Sequence, residues 1–270
     1  QAEDGIRDLV RSRGLGDVYK RQILYNALQS TCSQRVRYTL HYKSINFSME
    51  ILDLFSGDQL RPEYLSINPN GVVPALVHDD NIIIDSSVII EYLEDINLNH
   101  KTLRPKKPEN VARMRAMIRY FDEVAGPSVR VPSYNMAFLP HFQDMSEKEF
   151  IDLAESKPLR KDFLLRMGRT GFSEKEMNDS MSKIKATCDR MEGWLLESGG
   201  PYLLGSDMTF ADICIMPVIV RMQDLGKSDL WSSTHLVSEW FELIQSTAIY
   251  EKTYCEGSLL SQVYPHLRRS

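Results

Sequence analysis

The chain has 270 residues, is 43% apolar and 26% charged, and carries a net charge of −5. That balance describes an ordinary globular chain of one large or two small domains. It provides no basic surface for nucleic acid or an anionic membrane, and no apolar run reaches the roughly 18 residues of a membrane span. Cys32, Cys188, Cys214 and Cys255 are scattered without metal-type spacing, so they read as reduced thiols of a cytoplasmic protein.

Residues 1–22, QAEDGIRDLVRSRGLGDVYKRQ, are polar, carry Gly5, Gly14 and Gly16, and show neither helical nor strand periodicity. The pieces QAEDGIRD and SRGLGDVYKRQ resemble translated sequencing-adapter DNA, so the segment is read as a non-native leader and set apart from the fold. Ile23-Leu24-Tyr25 begins a strand at once. Small hydroxyl residues, Ser30 and Thr31, then precede a helical pattern through Val36 and Leu40. Phe47 to Leu54 alternates as a second strand, Gly57 to Pro62 is a loop, and Glu63-Tyr64-Leu65 a helical turn. Asn68-Pro69-Asn70-Gly71 is dense turn chemistry. Ala75–His78 and Ile82–Ile84, set around Asp79-Asp80-Asn81, predict a β-hairpin. Pro74 belongs where a missing N–H costs nothing. Asp85-Ser86-Ser87 opens a helix bearing Val88, Ile89, Tyr92 and Leu93 and supplies its cap. The order β-α-β-α-β-β-α over residues 23–100 predicts a thioredoxin-like α/β domain.

Residues 101–108, basic and proline-containing, read as a linker, and residues 109–270 as an all-α domain. Glu109 to Ala125 is a helix whose stripe Val111, Met114, Ile118 and Phe121 faces a core. Gly126 to Met145 holds three prolines and is read as an irregular stretch, with Tyr134, Met136, Phe138 and Phe142 as lid or pocket residues. Ser146-Glu147-Lys148-Glu149 and Ser173-Glu174-Lys175-Glu176 fit capping boxes for helices near 146–155 and 173–198, and Thr209 to Asp212 fits a third. Residues 232–247 predict a last long helix, followed by a loosely attached tail.

The loop at Ser30 carries the chemistry. A helix N-terminus exposes unpaired N–H groups and behaves as about half a positive charge, so a thiolate placed there is stabilised. A nearby hydroxyl can add a further hydrogen bond. Ser30 and Thr31 can equally serve as plain helix caps. Cys32, at the same helix start, could form mixed disulfides, yet Cys32-Ser33-Gln34-Arg35 contains no second Cys, which argues against a dithiol oxidoreductase. The six histidines lie in different elements and suggest no metal site.

Leu24-Tyr25 followed by Ser30, Cys32-Ser33 and Arg35-Val36-Arg37, together with Val73-Pro74 and Asp85-Ser86, resembles the glutathione transferase superfamily, with the serine motif of its zeta and theta classes. The second half, through Gly171-Phe172-Ser173, resembles the bacterial glutathione-dependent β-aryl etherases. The resemblance covers residues 23 to about 250. It implies a thioredoxin-like N-terminal domain with an all-α C-terminal domain, and glutathione as cosubstrate without a metal. Ser30 would be the activating hydroxyl with Thr31 behind it, and Cys32 would line the site. Gln59 would reach the tripeptide, Val73 would present its backbone to it beside a cis Pro74, and Asp85-Ser86 would hold its γ-glutamyl end. Asp212 would be a buried capping carboxylate with no acid–base role. Tyr134, Met136 and Phe138 would wall the electrophile pocket. The implied reaction is thiolate attack on an apolar, aromatic small-molecule electrophile, as in β-aryl ether cleavage. Maleylacetoacetate-type cis–trans isomerisation and a non-catalytic interaction module are the alternatives. The family further implies a homodimer in detoxification chemistry, with neither nucleic acid nor membrane as partner.

Overall fold

The computed structural model describes residues 22–97 and 101–268. The proposed leader therefore lies outside the described residues, except for Gln22. That residue already pairs with His78 as the first position of β1 (Gln22–Asn26), so the strand reaches one residue into the segment set apart.

After β1 come α1 (Thr31–Tyr42), β2 (Ser48–Ile51), α2 (Pro62–Leu65), β3 (Ala75–His78), β4 (Asn81–Ile84) and α3 (Ser86–Asp95). The sheet order is β2-β1-β3-β4, with β1 and β2 parallel and the other two pairings antiparallel. This is the predicted β-α-β-α-β-β-α arrangement. All four residues of β3 are buried, as a strand covered on both faces requires. Pro74 stands just ahead of the first ladder pair, Ala75 with Ile84, where no N–H is needed. Val36, Tyr38 and Leu40 of α1 and Ile89, Ile90 and Leu93 of α3 are fully buried.

The connection after α3 is pinned rather than loose. Leu103 is fully buried, its N–H donates to Glu94 Oε2 at 3.3 Å, and its carbonyl accepts from the Phe210 N–H at 3.3 Å. Glu94 in turn pairs with buried Lys43 at 2.8 Å.

The C-terminal domain is helical: α4 (Pro108–Tyr120), α5 (Gly126–Ser133), α6 (Pro140–Gln143), α7 (Glu147–Glu155), α8 (Lys161–Met167), α9 (Glu174–Ser198), α10 (Phe210–Asp224), α11 (His235–Gln245), α12 (Ala248–Thr253) and α13 (Leu260–Val263). Every residue of α10 from Phe210 to Met222 is buried, so this helix is the centre of the main core. Ser146 and Ser173 form the expected capping boxes with Glu149 and Glu176.

Two expectations are corrected. Gly126 to Met145 is not an irregular loop but mostly helix, entered through a π-helical turn at Phe121–Ala125 and interrupted by another at Tyr134–Phe138. Gly126 and Leu139 donate to carbonyls five residues back, those of Phe121 and Tyr134, and each stands immediately before a proline. Widening the helix there keeps the proline ring clear of the preceding turn, so prolines that read as breakers are absorbed. The tail is not loose either. Buried Arg37 donates to the Thr253 carbonyl at 3.1 Å and Ser258 Oγ at 3.3 Å, while Gln34 and Gln29 donate to the Ser258 and Gly257 carbonyls. These bonds tie the tail to α1.

A smaller apolar cluster of Val131, Phe142, Phe150, Ala154, Leu164, Met167 and Phe172 seats α7 and α8 against α5. Asn135 clamps its far end, accepting from the Phe172 N–H and donating to the Phe172 carbonyl, both at 2.8 Å. Gly171, at φ 90°, is required beside that clamp, because a Cβ there would lie 2.8 Å from Asn135 Oδ1.

Candidate active site

A cleft of about 700 Å3 runs between the two domains. Its floor is the start of α1. Ser30 has extended backbone at φ −70°, ψ 119°, and its Oγ accepts from the Ser33 N–H at 3.2 Å. The hydroxyl is thus the helix cap and still has its own proton to donate outward, so capping and thiolate binding are compatible in one side chain. Thr31 and Cys32 follow on the first turn and line the same cleft. All four cysteines are free. The nearby Cys214 thiol is pushed up to about 12 by burial, which disfavours it as a partner in thiol exchange.

Gln59 and Val73 form the wall on the sheet side. Gln59 is buried; its Nε2 donates to the Leu54 carbonyl at 3.1 Å, while Oε1 has no partner. Val73–Pro74 is a cis peptide, and the Val73 N–H and carbonyl form no hydrogen bond among the described residues. Unmet polar groups on a cleft wall are what an extended peptide such as glutathione requires of its site, so the residues present fit that cosubstrate.

Pro74, Asp85 and Ser86 are not on the cleft surface itself. Asp85 caps α3 at φ 72°, with Oδ1 accepting from the Ser87 and Val88 N–H groups. Ser86 is buried and its Oγ accepts from Arg35 Nη1 at 3.4 Å. The same guanidinium nitrogen meets Asp122 at 2.5 Å, and Ser87 Oγ donates to the other Asp122 oxygen at 3.0 Å. A residue of the helical domain therefore holds the Asp85–Ser87 turn in place.

The opposite wall is aromatic and cationic. Phe55, from the loop after β2, stacks on His141 with centroids 3.8 Å apart and 5° between planes. Phe138 packs against Phe55, Tyr134 and Tyr264 at 5.1, 5.1 and 5.7 Å. Burial lowers the His141 pKa, which favours the neutral ring. Of the four expected lid or pocket residues, Tyr134 and Phe138 line the cleft, whereas Met136 does not and Phe142 is buried in the small apolar cluster. The Met136 side chain packs in a separate cluster with Ala137, Leu225 and Leu260, and its carbonyl accepts from His266 Nε2. On a helical turn residues 134 and 138 share a face and 136 points elsewhere, a distinction that a loop reading could not draw.

Arg130, Lys157 and Arg160 complete this wall, and sequence reasoning missed all three. Among the described residues no group of His, Cys, Asp and Glu could hold a metal ion.

The family model for the glutathione S-transferase N-terminal domain matches residues 29–96, and that for the C-terminal domain residues 161–249. The chain is 30% identical to the protein LigF of Sphingobium sp. over 191 residues, 70% of this chain and 74% of LigF. The chain belongs to the glutathione S-transferase family. The crystal structure of beta-etherase LigF from that organism matches with a TM-score of 0.78 at 26% identity, over 86% of this chain and 98% of LigF. A zeta-class glutathione S-transferase of Euphorbia esula is 42% identical over 80 residues, 30% of this chain and 36% of that protein. The mouse maleylacetoacetate isomerase is 26% identical over 203 residues, 74% of this chain and 78% of the isomerase. The fold of this transferase, a four-stranded mixed sheet followed by a helical domain, is the one its structural relatives carry.

Proposed function

We propose that this protein is a glutathione transferase that lowers the pKa of the glutathione thiol at Ser30 and directs the thiolate at an aromatic electrophile, displacing a phenoxide as in β-aryl ether cleavage. One observation carries the reading: the hydroxyl-capped start of α1 faces an aromatic wall across a single cleft. The thiolate attacks carbon, the C–O bond breaks, and the phenoxide leaves with the electron pair. In this reading Gln59 Oε1 and the Val73 backbone hold the tripeptide. Asp85 and Ser86 receive its γ-glutamyl end beyond the cleft surface, with Pro74 setting the approach. The similarity to LigF over most of both chains supports the ether substrate.

The higher identity to a zeta-class protein, confined to about 80 residues, supports the runner-up, a maleylacetoacetate-type isomerase. Turnover with glutathione of an aryl β-keto ether, maleylacetoacetate and a chlorodinitrobenzene-type electrophile separates the readings. Release of the phenol is the expected result, with Gln59→Leu raising the KM for glutathione several-fold. Isomerisation without ether cleavage would replace the first reading, and glutathione binding without turnover of any substrate would leave a non-catalytic module.

The domain limits follow the same reading, with 23–100 as the glutathione-binding domain, 101–108 as linker and 109–270 as the electrophile domain. So does a cytoplasmic homodimer engaged in detoxification chemistry. Sedimentation equilibrium should give twice the chain mass; a single chain mass at micromolar concentration would refute the dimer.

A further inference from the structure

The cleft holds an excess of positive charge that the proposed thiolate chemistry does not use. Arg130 comes from α5, and Lys157 and Arg160 from the turn between α7 and α8, where the Arg160 N–H donates to the Lys157 carbonyl. All three line the cleft that Tyr134 also lines. None of them forms an ion pair among the described residues; Arg160 reaches only the carbonyl of Leu159, at 2.9 Å.

The carboxylates that could have neutralised them are engaged elsewhere. Asp53 and Asp58 line the same cleft. Asp53 accepts from the Phe55 and Ser56 N–H groups and from Ser56 Oγ. Asp58 accepts from the Asp53 N–H and pairs with Arg61 at 2.8 Å. The fourth cation, Arg221, is taken up by Ser133 Oγ and the Gln29 carbonyl. The three remaining cations repel one another. Burial and then the neighbouring Arg160 hold both the Arg130 and the Lys157 pKa below their ordinary values.

Half-buried like charges without a counterion are unfavourable in the absence of a ligand. They become favourable when an anion enters, and guanidinium groups bind carboxylates through paired hydrogen bonds. The protein as a whole carries −5, so this concentration of positive charge is local to the site. Tyr134 lines the same cleft, feels the charge of both arginines and belongs to the aromatic wall, which places a ring and the cations in one cavity.

We infer that the electrophile of this transferase is an aromatic carboxylate, whose ring lies against Tyr134, Phe138 and Phe55 and whose carboxylate is bound by Arg130, Lys157 and Arg160. The inference rests on the glutathione-site reading and narrows it from apolar aromatic substrates to anionic ones.

The test uses two glutathione conjugates that differ in one group, S-benzylglutathione and S-(4-carboxybenzyl)glutathione, titrated calorimetrically into the full chain. Such conjugates occupy both halves of the cleft whether or not turnover follows. The carboxylated conjugate is expected to bind at least tenfold more tightly, with a preference that weakens at high salt. Lys157→Gln and Arg160→Gln should each reduce that preference, the double variant should reduce it further, and adding Arg130→Gln should bring it close to unity. Equal affinity of the two conjugates for the wild-type protein would overturn the inference and leave the glutathione site standing. Equal loss of affinity for both conjugates and for glutathione itself in the variants would also overturn it, by assigning the cations to the peptide. If neither conjugate binds, the glutathione-site reading fails and this inference fails with it.

Discussion

Replacing Ser30 by Ala should raise the pKa of bound glutathione by about 1–2 units and lower kcat/KM at pH 6.5 by about 10- to 100-fold. A hydrogen bond to a charged acceptor is worth about 1.5–3 kcal/mol, and each pKa unit corresponds to about 1.4 kcal/mol. The thiolate is the form stabilised, so losing the hydroxyl moves the acid limb of the pH–rate profile to higher pH. Above the new pKa most of the loss is recovered. The helix end remains in the variant and continues to favour the anion, which is why activity falls without vanishing. Ser30 also caps α1 through the Ser33 N–H, and loss of a cap costs about 1 kcal/mol; a thermal melt measures that part separately. Ser30→Asp keeps a capping oxygen but sets a negative charge beside the sulfur. It should melt near wild type and be less active than Ser30→Ala. Cys32→Ser should leave turnover within about threefold, since one thiol without a second offers no dithiol route. The decisive readout is the ultraviolet absorbance of the bound thiolate against pH. An unchanged thiol pKa in Ser30→Ala would transfer the role to Thr31, and abolition of activity by Cys32→Ser would transfer it to Cys32.

Where the sequence was readable, a local physical rule was at work. Alternation, turn chemistry and caps specify their elements over short stretches, so the order of elements along the first domain and the capping boxes at Ser146 and Ser173 were accessible. Ser30 could be placed at a helix start for the same reason. Three other features depend on tertiary packing. Pro127, Pro132 and Pro140 read as breakers because the π turns that precede Pro127 and Pro140, and the helix that runs through Pro132, leave no periodic signal. The tail looked loose because Arg37, Gln34 and Gln29 hold it mainly through the backbone carbonyls of Thr253, Ser258 and Gly257, which every residue possesses. Lys157 and Arg160 share one turn, but Arg130 belongs to α5, and the three line one cleft because the apolar cluster around Phe142 and Phe150 folds α7 and α8 back over α5. In sequence each resembles an ordinary surface cation. The missed residues are therefore the cations on the substrate side of the cleft, where the sequence revealed only the aromatic residues Tyr134 and Phe138.

Asp212→Ala should be the most destabilising of the substitutions considered. The carboxylate is fully buried, at 0% exposure. Oδ1 accepts from the Leu203 N–H and the Trp240 indole N–H, both at 3.0 Å, and Oδ2 from the Thr209 N–H at 2.8 Å and Thr209 Oγ1 at 2.9 Å. One side chain thus joins the approach to α10, the first turn of α10 and the middle of α11. Its removal strands three buried N–H donors, each costing about 1–3 kcal/mol, so a loss of at least about 3 kcal/mol is expected even after relaxation. For a chain of this size that corresponds to a fall in Tm of roughly 6–12 °C. Asp212→Asn conserves shape but turns an amide toward some of the same donors, so it should fall between Ala and wild type. Because α10 also carries Arg221 to the cleft, the Ala variant should lose glutathione binding on heating together with its helical signal, in one transition. A variant that melts within 2 °C of wild type would show that the Thr209–Asp212 box is dispensable. A variant that keeps its fold at 25 °C but loses the bound-thiolate absorbance there would give Asp212 a role in the site that its burial behind α10 argues against.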